Sequence, residues 1–212
     1  MTELALFPIP NCVLFPGMVF PLHVFEPRYR TMIQHCLDTG MEVAVCHVEK
    51  VLHEGEHHQD LEDALQSNQD TYKPKSVFTA GRCELFQTLD DGRLLVNIHT
   101  TQRYQLTDIV QTLPFNIAQC APLEDLLLTD TEQTLLLEYQ DKIMHRLLAL
   151  SAHEPEVHDA LKSDHWQNMS ATEFCWQVFC LIGLEPDVQQ DILEDRQPVS
   201  RLKKLLDILN QN

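Results

Sequence analysis

Residues 4–29 read LALFPIPNCVLFPGMVFPLHVFEPRY, an apolar run that four prolines (Pro8, Pro10, Pro16, Pro21) and Gly17 break into short pieces. Proline has no backbone donor and a fixed φ, so a sheet accepts it at strand ends, edges and bulges but not in a central ladder. The run therefore predicts short strands joined by sharp corners. It closes on Glu26-Pro27, and Pro27 suits the first turn of a helix, where a missing N–H costs nothing. An opening of strand, corner, strand and helix suits a small closed β-structure and argues against an α/β nucleotide fold.

The remaining pattern predicts two parts. Strands are expected over 4–7 and 19–25, a helix over 27–38 ended by Gly40, and a central strand over 42–48, apolar on both faces. Residues 49–75 set seven acidic side chains against three lysines and read as a long surface loop with a short helix near 61–65. Strands over 76–89 and 93–100 meet at Asp90-Asp91-Gly92, where Gly supplies the positive φ of a hairpin. Further strands over 103–110 and 115–121 complete a β-part of about six strands. Beyond Pro122 the apolar period changes from two to 3.6. Helices are expected over 131–149, 156–162, 170–181, 185–193 and 198–209, the third opened by the capping box Ser170-x-x-Glu173. The expected domains are 1–122 and 123–212.

The segment LFPIPNCVLFPGMVFPLHVFEPRYR resembles the opening of the substrate-binding domain found at the N-terminus of Lon proteases and in stand-alone bacterial relatives. Residues 80–106, AGRCELFQTLDDGRLLVNIHTTQRYQL, resemble that domain's later hairpin, and the helical tail resembles the family in pattern. The resemblance implies an α+β chain: a PUA-like pseudo-β-barrel of about six strands followed by a C-terminal α-helical bundle. It implies engagement of unfolded or degron-bearing polypeptides, with a separate protease as a further candidate partner. Lon's ATPase and Ser–Lys protease domains would need several hundred more residues, so a stand-alone member without them is expected. Two positions depart from the family pattern. His99-Thr100-Thr101-Gln102 stands before Arg103-Tyr104 where relatives carry a Gly, and Ala80-Gly81-Arg82 replaces a Gly-Thr. The resemblance therefore leaves a bulge or tight turn at 99–102 unspecified.

Charge and composition narrow the partners. The 212 residues carry 32 acidic and 15 basic side chains, a formal charge of −17. Polyanion binding neutralises phosphates with Lys and Arg, so no nucleic-acid partner is expected. The basic groups Arg28 with Arg30, and Arg201 with Lys203 and Lys204, read as solvated helix faces. No apolar run reaches the roughly 18 residues of a membrane span, and MTELALFPIP lacks a basic leader region, so a cytoplasmic protein is expected. Seven cysteines without a C-x-x-C pair read as reduced, mostly buried thiols. The oligomeric state is not specified.

No catalytic residue and no cofactor is assigned. His53-Glu54-Gly55-Glu56-His57 matches H-E-x-x-H, and with His58 it forms a candidate metal cluster. The zincin mechanism needs that motif on a helix, with two histidines one turn apart and Glu as base. Gly55 costs a helix about 1 kcal/mol relative to Ala, the flanks are polar, and no third ligand is evident. A metal-dependent hydrolase is therefore the alternative reading. Phosphate chemistry lacks a Gly-rich cradle, and nucleophilic catalysis lacks a G-x-S-x-G elbow. The stronger reading is interaction. Phe15, Met18, Phe20, Phe25 and Tyr29 give the opening more large apolar side chains than a small barrel needs, and some are expected to line a polypeptide-binding groove. The expected function is non-enzymatic polypeptide binding, as an adaptor or holdase in protein quality control.

Overall fold

The computed structural model describes residues 1–54 and 67–211. Contacts divide the chain into two units: Met1–Leu123 with Leu184–Leu193, and Glu124–Gly183 with Glu194–Asn212. A boundary near 122 assigns 184–193 to the helical part, whereas the contacts group these residues with the first unit.

In the first unit the strands are β1 (Thr2–Pro8), β2 (Val19–Val24), β3 (Val43–Cys46), β4 (Val48–His53), β5 (Thr71–Pro74), β6 (Val77–Thr88), β7 (Leu94–Gln111) and β8 (Ile117–Pro122), with helix α1 (Pro27–Thr39) after β2. The main sheet runs β2-β7-β6-β3-β1-β8, and an additional β7–β8 pairing closes it. Closure depends on β7. Its first third, Leu94–His99, pairs with β2 on one side, β6 pairs with it on the other side from Leu94 to Gln105, and Tyr104–Gln111 pairs with β8. The family-like α+β architecture is present: a six-stranded sheet, closed through five strands with β2 at its edge, and a helical C-terminal part. The strands expected over 93–100 and 103–110 are one continuous strand.

The proline-broken opening works as its chemistry requires. Pro21 lies in β2, an edge strand, and Pro27 occupies the first turn of α1, which ends at Gly40 with φ 75°. The corner between β1 and β2 is held by two buried threonines. Thr79 Oγ1 donates to the Leu14 carbonyl at 2.6 Å. Thr100 Oγ1 accepts the Met18 N–H at 2.9 Å and lies 2.8 Å from the Phe15 carbonyl and 2.9 Å from that of Met18, donating its one proton to either. At this place Thr101 is an extra residue on β7, because Ala80 pairs with Gln102 and Gly81 with Thr100. A Cβ at Gly81 would stand 1.8 Å from the His99 carbonyl oxygen, so only glycine fits. The glycine that permits the bulge therefore sits across the ladder on β6.

Strands β1 and β3 bury both faces. Ala5, Phe7, Val43 and Val45 join Tyr29, Met32, Ile33 and Cys36 of α1 in one core, while Leu4, Leu6, Ala44 and Cys46 meet Phe78, Tyr104 and Cys120 in another. Residues 184–193 return to this unit. Gln190 donates to the Val77 carbonyl at 2.9 Å, and the Arg103 guanidinium donates to the Leu193 carbonyl. The long loop expected over 49–75 is partly a β4–β5 ribbon. The short helix expected near 61–65 lies outside the described residues.

The second unit contains α2 (Asp130–Leu150), α3 (Pro155–Leu161), α4 (Asp164–Gln167), α5 (Ala171–Gln177) and α7 (Pro198–Gln211), with α6 (Pro186–Glu194) preceding α7 in sequence. The capping boxes Thr129/Glu132 and Ser170/Glu173 open α2 and α5. The helix expected to run to 181 turns into a 3₁₀ segment at Val178–Leu181. Arg201 is not on a solvated face. It is fully buried, forks onto Asp125 with two 2.7 Å contacts, donates to the Asp195 carbonyl at 2.8 Å, and lies 3.7 Å from the Trp176 ring centroid. A buried guanidinium requires this dense pairing to offset its lost hydration.

Two outcomes follow from these contacts. Thr100→Val removes the side-chain acceptor of the Met18 N–H and the hydroxyl proton given to the Phe15 or Met18 carbonyl, at a buried corner, so urea unfolding should show a loss of about 1–3 kcal/mol. The cap hydrogen bonds hold Glu132 and Glu173 below the ordinary glutamate value of 4.5, through Thr129 and Ser170 respectively. Their contribution is present above that value and is lost as pH falls through the lowered one. The double variant Glu132→Gln/Glu173→Gln keeps acceptors at both caps but does not titrate there. Its unfolding free energy should fall less than that of the parent between pH 5 and pH 3, measured by urea titration.

Candidate functional site

Among the described residues, the first unit contains a cleft of about 770 Å³. One wall is the β4–β5 ribbon, with Leu52, His53, Thr71 and Tyr72; the opposite wall is the β7–β8 tip, with Ile109, Leu113 and Phe115. Leu6, Pro8 and Tyr29 form part of its lining between them. The tip carries a cis Leu113–Pro114 peptide and holds Leu113 81% exposed. Leu52, 57% exposed, projects from the ribbon. Two exposed leucines on opposing β-tips leave an apolar mouth, the arrangement expected of a ligand-binding hollow.

Beside it lies a groove of about 240 Å³ lined by Phe7, Pro8, Ile9, Leu22, Phe25, Tyr29 and Tyr72 among others. Pro8, Tyr29, Gln69 and Tyr72 line both hollows. Tyr29 stacks on Phe7 with centroids 4.2 Å apart, so its ring is fixed where the two hollows meet.

Two cations at the cleft, Arg28 and Lys73, are paired within the chain. Arg28 Nη2 lies 2.9 Å from Glu26 Oε2, and Lys73 Nζ lies 2.7 Å from Glu49. Arg28 is therefore not a solvated cation: only 13% of its side chain is exposed, and its guanidinium donates to the Asp70 carbonyl at 2.6 Å and to Thr71 Oγ1 at 3.3 Å. Burial raises the Glu26 pKa, outweighing the pull of Arg28 and of the Gln69 N–H bond. Burial likewise raises the Tyr29 and Tyr72 hydroxyls, leaving both neutral. The cleft presents mainly apolar surface, with tyrosine hydroxyls and polar side chains such as Glu54, Asn68 and Asn116 among its lining.

The residues expected to line a groove have separate fates. Phe15 is 1% exposed and interior. Met18 and Phe20 are half-buried against the α1-facing core, and the Met18 sulfur accepts the Phe15 N–H at 3.1 Å. Phe25 and Tyr29 do line the hollows. Leu52, Tyr72 and Leu113 were not singled out from sequence. The alternation of Val51, Leu52 and of Thr71, Tyr72 within a polar stretch was the available signal.

His53 lines the cleft as the last residue of β4, an extended and not a helical position. His57 and His58 lie outside the described residues. Among the described residues no group of three or more His, Cys, Asp or Glu side chains could hold a metal ion. The described thiols are all free, and burial pushes Cys12 and Cys83 up to about 11 and Cys36 up to about 12. At neutral pH such thiols are poor nucleophiles. No described helix is long and apolar enough to cross a membrane.

Comparison with known proteins agrees with this architecture. The fold matches the N-terminal domain of Lon protease from the Mycobacterium avium complex, with a TM-score of 0.69, 13% identity and full coverage of both chains. It also matches a Lon N-terminal domain protein from Xanthomonas campestris, with a TM-score of 0.61, 23% identity and 98% of each chain covered. A curated Lon protease from Endomicrobium trichonymphae is 25% identical over 214 residues, covering 98% of this chain and 24% of that protein, so the chain spans about a quarter of that relative's length. The family model of the ATP-dependent protease La (LON) substrate-binding domain matches residues 3–211. The chain belongs to the LON substrate-binding domain family.

Proposed function

We propose that the chain binds apolar stretches of unfolded or degron-bearing polypeptides in the cleft between the β4–β5 ribbon and the β7–β8 tip. It acts on them by adhesion alone, as an adaptor or holdase, and a separate protease is the partner to which an adaptor would present them. The observation that carries this reading is the cleft itself: about 770 Å³, apolar-lined, with Leu52 and Leu113 exposed at its mouth. That volume lies within the ordinary range for ligand hollows. Membership of a substrate-binding family supports the same reading, as do the names of the Lon relatives. The ion pairing of Arg28 and Lys73 within the chain supports a site that works by apolar contact.

Fluorescence anisotropy with labelled extended apolar peptides and a denatured client tests this. The parent chain should bind several of them. Leu52→Asp and Leu113→Asp each remove one buried leucine's worth of contact, about 1.5–3 kcal/mol, and should weaken binding roughly ten-fold or more. Absence of binding across the panel, or affinities unchanged in both variants, contradicts the proposal.

A further inference from the structure

Four consecutive residues, 68–71, are each tied to the start of α1. The Arg28 N–H donates to Asn68 Oδ1 at 3.2 Å, and the Gln69 N–H donates to Glu26 Oε2 at 3.0 Å. The Arg28 guanidinium reaches the Asp70 carbonyl at 2.6 Å and Thr71 Oγ1 at 3.3 Å, while holding Glu26 at 2.9 Å. Its Cζ also lies 4.6 Å from the Tyr29 ring centroid. One guanidinium thus joins the helix start to the lead-in of β5. This is the use for which a rigid, forked cation is suited.

These tethers lie where the two hollows meet. Asn68, Gln69, Thr71 and Tyr72 line the cleft, and Gln69 and Tyr72 also line the adjoining groove. Beyond them the groove offers Ile9, Leu22 and Phe25. The tethered run, through Gln69 and the adjoining Tyr72, therefore stands with Pro8 and Tyr29 between one hollow and a second one beside it.

We propose that Glu26 and Arg28 form a latch that keeps the cleft and the groove apart, and that releasing it joins them into one longer channel. The latch would thereby set the length of apolar segment that is bound. This rests on the polypeptide-binding reading above. Glu26 and Arg28 are positioning residues: they act through residues 68–71, and their charges are satisfied by each other and by that run. With the latch closed, an extended segment fills the cleft and stops at Gln69 and Tyr72. With the latch open, it continues over Phe25 and Ile9. Each added residue of an extended chain advances about 3.3 Å, so the difference is readable as a number of residues.

The test is a ladder of apolar peptides from about four to twelve residues, titrated into the full chain and into Arg28→Met, Glu26→Gln and Arg28→Lys. In the parent, affinity should rise with length and then level off. In Arg28→Met and Glu26→Gln the levelling should move to peptides longer by three or more residues. Arg28→Lys, which keeps the charge opposite Glu26 but not the fork, should fall between. A role in stability alone would lower affinity in parallel at every length, with the levelling unmoved. That result, or identical ladders in all four proteins, overturns the latch while leaving the cleft as the binding site. Failure of the parent to bind at any length overturns the cleft reading and the latch with it. Glu26→Gln is nearly isosteric, so it carries the test if Arg28→Met does not fold.

Discussion

Strand β7 lies between β2 and β6 along its first third and reaches β8 with its C-terminal part, and the barrel closes because this one strand pairs with both β6 and β8. To serve β2 and β6 and then turn toward β8, it must bend, and the extra residue Thr101 supplies the bend. The bend requires close approach across the ladder, which Gly81 alone permits. The same place also anchors the Pro16-Gly17 corner. The Gly17 N–H donates to the Thr100 carbonyl at 2.8 Å, and the Thr100 N–H donates to the Met18 carbonyl at 2.9 Å. A segment that cannot form a continuous ladder, because its prolines lack donors, has polar groups of its corner satisfied by Thr100, beside the bulge, and by Thr79. From that corner β2 leads into α1, and α1 places Tyr29 and Arg28 at the hollows.

The candidate site follows from how charge is distributed. The chain carries 32 acidic and 15 basic residues, and two cations at the cleft, Arg28 and Lys73, are paired within the chain. What remains for a ligand is mainly the surface of Leu52, Tyr72, Leu113 and their neighbours. Net charge keeps such a surface soluble through self-repulsion, while apolar contact supplies non-directional attraction that does not require a particular side-chain sequence. This combination suits a domain whose family is defined by substrate binding. An ion-paired run suits the proposed latch between the two hollows, because a charged, hydrogen-bonded pair has defined geometry, whereas apolar packing alone does not fix register as sharply.

Local chemistry was legible in the sequence wherever a residue's role is set by its neighbours in the chain. Pro27 at the start of α1, Gly40 past its end, the Asp-Gly turn and the capping box at Ser170 all occur where their backbone preferences require. Roles set by distant partners were not legible. Thr101 and Gln102 read as a gap between two strands, and the anchoring role of Thr100 was not legible because its partners Phe15 and Met18 lie more than eighty positions away. Arg201 sits on an amphipathic helix where a cation reads as exposed, and its partner Asp125 is 76 residues distant. Arg28 was hidden in the same way by its bonds to residues 70 and 71. The β4–β5 ribbon was obscured by register shifts that interrupt its alternation. Phe15 was an apolar side chain with two fates open to it, and only the Thr100 anchor decides that it points inward.

The central claim is that the hollow between the two β-tips receives apolar polypeptide. The most direct measurement is backbone amide chemical-shift mapping of the full chain during titration with an extended apolar peptide. The largest changes are predicted at Leu52, Tyr72 and Leu113 and at the residues beside them. Changes confined to the helical unit, or spread over the surface with the cleft unaffected, would contradict the account.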